Sequence, residues 1–93
     1  MDPWGRMMRK ERAPAHVTEA ILGVVENQIR ANDPPQTATT LKRLLADGIS
    51  RPEAIRMIAC CVTEEIFHIG KYGETFSEKR YISNLNKLPS LPG

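Results

Sequence analysis

The chain's 93 residues suffice for one domain and carry a net charge of +2. Of its thirteen basic and eleven acidic side chains, four basic and two acidic ones lie in residues 1–12, which leaves nine of each sign in residues 13–93. This balance argues against a nucleic-acid-binding domain, whose signature is a basic face. No apolar run approaches the ~20 residues that span a bilayer, no signal peptide is evident, and two adjacent cysteines make no disulfide framework, so we expect a cytoplasmic protein without a membrane segment.

Proline and charge mark the boundaries of the expected domain. We interpret residues 1–13 as a flexible basic tail, residues 14–88 as a helical domain and residues 89–93 as a C-terminal tail that begins with a proline. The alternative role of the basic tail is contact with nucleic acid or a membrane surface. Helix one should run from about Pro14 to Ala31, because proline suits a first turn. Its apolar face is predicted to contain Val17, Ile21, Val24, Val25, Gln28 and Ile29.

A proline-rich turn separates helix one from a shorter helix two. Residues that precede proline avoid the α region, so the run Asn32-Asp33-Pro34-Pro35 should end the first helix. The same run starts the second helix, from about Pro34 to Ala46, with Asp33 as its N-cap and Gln36 completing a capping box. Gly48 is placed for a left-handed stop. The side chains expected to face inward are Leu41, Leu44 and Leu45.

Helix three has the clearest signals in the sequence. Ser50 is its predicted N-cap, and Glu53 stands three residues later, which is the spacing of a capping box. Gly70 and Gly73 should end the helix. One apolar stripe at helical spacing is expected to face the core, and it contains Ile55, Ile58, Ala59, Val62, Ile66 and Ile69.

Helix four is predicted from about Ser77 to Leu88. Phe76 precedes the cap and is placed to pack on Tyr81 as a hydrophobic staple. Strand alternation is absent, and short connections between helices imply antiparallel neighbours. We therefore predict an all-α fold, a small antiparallel helical bundle of three to four helices. The inward side chains of helix four should be Tyr81, Ile82, Leu85 and Leu88.

A second apolar face on helix three predicts self-association. Met57, Cys61 and Phe67 lie on this face, and so short a chain has few other residues with which to cover it. We expect these three side chains to belong to the interface of a homodimer or of a complex with a partner protein. Cys60 and Cys61 are otherwise expected to act as small hydrophobes, because their spacing matches neither a zinc motif nor a redox motif.

Four side chains are candidates for metal binding. Glu65 and His68 have the E-x-x-H spacing that places a carboxylate and an imidazole on one helical face in di-iron bundles. Glu26 and Glu64 are the other two candidates. A di-metal centre needs about six ligands from several helices. We therefore predict no cofactor and favour the simpler interpretation, surface charges paired at helical spacing.

The chain also resembles a bacterial family, domain-of-unknown-function family eighteen forty-one, over roughly residues 14–70. The signature is short, and it combines a glutamate-x-glutamine pair with an aspartate–proline turn. In the relatives, the first helix carries histidines at i and i+4 ahead of a glutamate, and the third helix carries a similar histidine pair followed by glutamates. The resemblance implies a helical fold. It is carried by Val25-Glu26-Asn27-Gln28-Ile29, Asp33-Pro34-Pro35, Leu41 to Leu44, Gly48, Glu53-Ala54, Cys61, Glu64, Ile66 and Phe67.

This chain departs from the family pattern at every histidine. In helix one the family's histidines map to Thr18 and Leu22, and in helix three they map to Pro52 and Arg56, while Cys60 replaces the first glutamate. The carboxylates that remain are Glu26 and Glu64. A guanidinium can take over a metal's charge by pairing with a carboxylate. We therefore predict that Arg56 pairs with Glu26 or Glu64 and that the family's metal chemistry is lost here.

These observations lead to two functional hypotheses. The first is a small cytoplasmic module that is not catalytic and that associates with itself or with a partner protein. The alternative is a metal-binding or metal-dependent helical protein that uses carboxylate and histidine ligands. Metal analysis of the purified protein distinguishes them, and the sequence leaves open whether the protein is an enzyme.

Overall fold

The computed structural model describes residues 15–92 and, among them, the side chains of residues 19–92. The predicted flexible tail, residues 1–13, and the side chain of Val17 lie outside this part. Within it the chain forms four α-helices and no strand, which confirms the all-α bundle. The helices are α1 (Ala15–Ala31), α2 (Pro35–Ala46), α3 (Arg51–Tyr72) and α4 (Glu78–Lys87).

The end of α1 is fixed by its own backbone. The amide of Asn32 donates to the Ile29 carbonyl, and the amide of Asp33 donates to the Gln28 carbonyl, which together make a Schellman motif. Asn32 has a φ of 54°, a left-handed conformation that asparagine tolerates better than most residues. α1 therefore ends at Ala31, as predicted. The prolines alone would allow one more helical residue.

The predicted capping box of α2 is wrong by one position. Pro34, not Asp33, is the N-cap, and no side chain caps this end. The Asp33 amide already donates to the Gln28 carbonyl at the end of α1, and α2 begins at Pro35. Gln36 is then the second helical residue rather than the third, so it cannot complete the box. The C-terminal prediction is confirmed, because Gly48 has a φ of 89° in a second Schellman motif that joins Ile49 to Leu44.

The start of α3 follows the sequence closely. Ser50 is the N-cap, and its hydroxyl accepts a hydrogen bond from the Glu53 amide at 3.3 Å. Gly73 is the left-handed stop at the other end, with a φ of 68°. Gly70 lies inside the helix instead of ending it, so α3 reaches 22 residues.

We expect Ser50→Ala to lower the free energy of unfolding by about 1 kcal/mol, the usual cost of losing an N-cap. The alanine removes the side-chain acceptor that caps this helix end, while the exposed position leaves packing unchanged. Urea denaturation followed by circular dichroism measures the loss. Ser90→Ala is the matched control, because Ser90 is exposed and lies outside the helices. Equal stability losses in the two variants would contradict the capping assignment.

Tyr81 joins three helices at the centre of the bundle. Its hydroxyl donates to Gln28 Oε1 at 2.7 Å, and Thr37 Oγ1 donates to the same oxygen at 2.9 Å. Tyr81 and Thr37 are both fully buried, and burial raises the pKa of Tyr81 to about 12. This network explains why a glutamine occupies the apolar face of α1, since a buried hydroxyl needs a partner.

The direction of α4 follows from contacts at its two ends. Glu65, late in α3, binds Arg80 at the start of α4, so these helices are antiparallel. Arg43 of α2 donates to the carbonyls of Leu85 and Leu88 at 2.9 and 2.7 Å and thereby caps the end of α4. Because Thr37, at the start of α2, meets Tyr81, α2 and α4 run in the same direction. Both pack on α3, which forms the centre of the bundle.

The core lies mainly between α3 and the other helices. Leu45 and Val24, which were predicted to face inward, are exposed, because neighbouring Leu44 and Val25 take the inward position on each helix. The staple is confirmed, with the rings of Phe76 and Tyr81 5.6 Å apart. The buried apolar side chains are Val25, Leu41, Leu44, Ala54, Ile55, Ile58, Ala59, Cys61, Val62, Tyr81, Leu85 and Leu88.

Candidate functional site

A buried carboxylate lies where α3 meets the start of α4. Glu65 is 0% exposed, yet both its oxygens have partners. The Ser77 amide and Arg80 Nη2 donate to Oε1 at 2.8 and 3.0 Å, and Arg80 Nε donates to Oε2. The carboxylate thus receives a bidentate guanidinium and a backbone donor, which is the arrangement a buried charge requires.

Two opposing effects act on the pKa of Glu65. Burial alone would raise the pKa, because it disfavours the charged form. The hydrogen bonds from Arg80 and Ser77, with the positive charge of Arg80, outweigh burial and hold the pKa below its ordinary value of 4.5. Glu65 is therefore a carboxylate at neutral pH and belongs to the folded core. The predicted surface pairing of Glu65 with His68 is corrected accordingly.

His68 lies between two other carboxylates. Its Nε2 atom is 3.3 Å from Glu64 Oε1, and its Nδ1 atom is 3.5 Å from Glu74 Oε1. Glu74 also pairs with Arg80 at 3.1 Å, and Arg80 binds Glu65. These side chains therefore form one connected network from His68 to Glu65. Nδ1 is itself buried and makes no hydrogen bond within the described residues. The structure thus brings Glu64, Glu65 and His68 into one region, and leaves Glu26 elsewhere.

The predicted metal ligands do not converge. The two nitrogens of His68 face opposite directions, so Glu64 and Glu74 cannot join the imidazole on a single ion. Both oxygens of Glu65 are already bound to Arg80 and Ser77. Among the residues the structure describes, no group of three or more histidine, cysteine or acidic side chains is arranged to hold a metal ion.

Arg56 does not form the predicted ion pair with Glu26 or Glu64. Glu26 binds Arg51 instead, through two hydrogen bonds of 2.9 Å, while Glu64 adjoins His68. Arg56 is exposed and takes part in neither pair. Arg51 is better placed, because it stands at the first turn of α3 beside α1. The hydrogen bond from Arg51 lowers the pKa of Glu26, so a guanidinium does neutralise this carboxylate, but from another position.

The three residues predicted for an interface occupy different environments. Cys61 is fully buried in the core, and burial raises the pKa of its thiol to about 12. Met57 packs partly buried against the same core. Phe67 is half-buried, with its ring edge-on to Tyr72 and the Lys71 ammonium 5.2 Å from its centre. Cys61 therefore cannot contact a partner, and the uncovered apolar surface lies elsewhere on α3.

That surface is the end of the predicted apolar stripe. Ile66 and Ile69 continue the helical face of Ile58 and Val62, but they are 38% and 41% exposed. Tyr72, one turn beyond Ile69, is also exposed, with its ring 5.3 Å from that of His68, and Phe76 in the connection to α4 is exposed beside Tyr81. We call Ile66, Ile69, Tyr72 and Phe76 the end patch. The core face of α3 thus extends past the helices that cover its first half.

A cleft of about 460 Å³, lined largely by polar and charged residues, lies between α3 and α4. Glu64 and His68 form its α3 wall, and Ser77 and Arg80 bring it next to the buried carboxylate. Its remaining lining residues are Lys79, Ser83, Asn84, Lys87 and Pro92. The cleft and the end patch are thus the two candidate binding surfaces of the described chain.

Sequence reasoning missed the partners of Glu65 although a signal was present. Glu65 follows Ile58 by seven residues and Val62 by three, so it continues the inward stripe. A carboxylate at such a position predicts a buried cation nearby. Nothing local identifies Arg80 as that cation, because the two residues meet only when α4 folds back on α3.

Comparison with protein-family models, with curated proteins and with solved structures finds no match for this chain. Within residues 15–92, none of the helices combines the length and the apolar character that crossing a membrane requires.

Proposed function

We propose that this protein is a non-catalytic helical module that associates with a second copy of itself through the end patch. The observation that carries the proposal is the continuity of one helical face, which is core at Ile58 and Val62 and uncovered at Ile66 and Ile69. Apolar side chains that extend a core stripe beyond its covering helices are typical of surfaces that another chain covers. This patch replaces Met57 and Cys61 in the predicted interface.

Charge at the rim of the patch favours a second copy as the partner. Lys71 and Glu74 flank Tyr72, and Glu74 stays 47% exposed beside its partners Arg80 and His68, so the rim carries both signs within four residues. In a two-fold dimer each surface meets itself, and a rim with both signs is then self-complementary. The patch is small, so we expect a dissociation constant roughly in the micromolar range.

Ile69→Lys should abolish the dimer without unfolding the monomer. Two lysines would face each other across the two-fold axis, while in the monomer each stands at an exposed site near a helix C-terminus, which favours a cation. Light scattering at about 200 µM gives the mass in solution; this concentration is chosen well above the roughly micromolar constant. We expect about twice 10.5 kDa for the parent chain and 10.5 kDa for the variant.

Val24→Lys is the matched control for this experiment. Val24 is 42% exposed, close to the value for Ile69, but it lies on α1 and outside the end patch. Its variant should stay dimeric. A monomeric parent chain, or a dimer lost equally in both variants, would overturn the proposal. Loss of the dimer on deleting residues 1–14 but not in Ile69→Lys would assign the contact to that segment instead.

Two further expectations belong to this proposal. Membership of family eighteen forty-one stays a prediction, and its support is the sequence resemblance over roughly residues 14–70. Cytoplasmic residence also stays a prediction. Its support is the pair of free thiols Cys60 and Cys61, one exposed and one buried, which a reducing compartment preserves.

The metal-binding alternative now depends on the contact between His68 and Glu64 on the wall of the cleft. These two side chains supply two ligands, and an ion there would need the others from solvent or a ligand. Metal analysis of the purified protein tests this alternative. Equimolar zinc or iron that is lost in His68→Ala would favour it over the non-catalytic module, and trace metal would count against it.

A further inference from the structure

The cleft beside α4 contains hydrogen-bond donors that the fold does not use. Lys79, Ser83, Asn84 and Lys87 are spaced along one side of α4, so their side chains project toward the same space. Within residues 19–92 none of the four side chains makes a hydrogen bond or an ion pair. Water ordinarily satisfies exposed donors of this kind, but here four of them line one cleft, and a ligand that accepts hydrogen bonds would meet several of them at once.

The charge of the α4 wall favours a negative ligand. Arg80 lines the cleft, but its guanidinium is held by Glu65 and Glu74. Glu64, on the α3 wall, lies 3.3 Å from His68, which is charged only if protonated, so Glu64 remains a negative group on that side. The ammonium groups of Lys79 and Lys87 pair with no described carboxylate, which makes the α4 wall the positive side of the cleft.

We propose that this cleft binds a small soluble molecule that carries a phosphate group. Lysine ammonium groups are common phosphate ligands, and a hydroxyl and an amide between them add the neutral donors that a tetrahedral oxyanion accepts. The cleft is open to solvent, and its volume of about 460 Å³ leaves room for more than a single phosphate. The Glu64 carboxylate on the opposite wall requires that the rest of the molecule be neutral or carry a hydrogen-bond donor.

The test uses inorganic phosphate as the probe, because it has no second charged group to approach Glu64. Titration followed by calorimetry and by backbone amide resonances should give saturable binding, with the largest shifts between residues 77 and 87. The double variant Lys79→Gln/Lys87→Gln should weaken binding by at least tenfold, and by about a hundredfold where both lysines bind the phosphate, because each charged hydrogen bond contributes on the order of a tenfold factor. Sodium chloride at matched ionic strength should produce no comparable shifts.

A second double variant controls for the loss of two charges. Arg30→Gln/Lys42→Gln removes two exposed cations from α1 and α2, away from the cleft, and should bind phosphate like the parent chain. Equal weakening in both double variants would show only general charge attraction and would overturn the site. Binding to phosphatidylglycerol vesicles without binding to inorganic phosphate would also overturn the proposal, in favour of a lipid surface. Neither result depends on whether the chain dimerises.

Discussion

Ile58→Ala should lower the free energy of unfolding by about 2–5 kcal/mol, through lost apolar transfer and the cavity left behind. Ile58 is fully buried in the stretch of α3 that meets the other helices. Chemical denaturation measures this loss, which should exceed that of Ser50→Ala.

Ile66→Ala is the matched control for Ile58→Ala, because it removes the same atoms from the same helix. Ile66 is already 38% exposed, so the substitution should cost a monomer less than about 1 kcal/mol. The pair is best compared at low protein concentration, where dimerisation does not contribute. Equal losses of stability in the two variants would contradict the conclusion that other helices cover α3 at Ile58 but not at Ile66.

Glu65→Gln should lower the free energy of unfolding by about 2–3 kcal/mol at pH 7, because the loss of one partner from a buried ion pair is costly. The glutamine keeps the shape of the side chain and can still accept from the Ser77 amide. It removes the negative charge that binds Arg80. In the variant, Arg80 still pairs with Glu74 and is still partly exposed to solvent. The expected loss of unfolding free energy is therefore smaller than the largest values for such pairs.

The pH dependence separates charge from shape at this position. The folded-state pKa of Glu65 lies below its ordinary value of 4.5, so the carboxylate stabilises the fold above that value. This contribution is lost as pH falls through the lower folded-state pKa. The stability difference between the parent chain and Glu65→Gln should therefore be full at pH 7 and shrink toward pH 3.

Glu26→Gln is the control for this experiment, because the pKa of Glu26 is also lowered, by its hydrogen bond with Arg51. That pair is exposed to solvent, so its variant should change stability much less. A difference between Glu65→Gln and the parent chain that stays constant from pH 7 to pH 3 would show that charge at Glu65 is not what stabilises this contact.

Local signals predicted the helices of this protein well. Ser50 and Gly48 act at short range along the chain, and the structure confirms both. The cap of α2 was misplaced because two prolines offered neighbouring starts, and the Asp33 amide was already used by the end of α1. Such an error follows from treating helix ends separately when a short connection makes them share residues.

The candidate sites depend on contacts that local patterns do not contain. The periodicity of α3 places Ile66, Ile69 and Glu65 on one inward face, but only the length and direction of α4 decide which of them is covered. Arg51 replaced the predicted Arg56 for a similar reason, since the packing of α1 on α3 decides which cation meets Glu26. The sequence predicts the faces of the helices, and the tertiary arrangement determines their partners.

Intermolecular contacts at the end patch test self-association most directly. A sample that mixes isotope-labelled and unlabelled chains allows nuclear Overhauser effects to be filtered for contacts between copies. We predict such effects from the δ-methyl groups of Ile66 and Ile69 to the Tyr72 and Phe76 rings of the second copy. Intermolecular effects confined to other surfaces, or none at concentrations well above micromolar, would contradict the proposal that the uncovered end of α3 is where two copies meet.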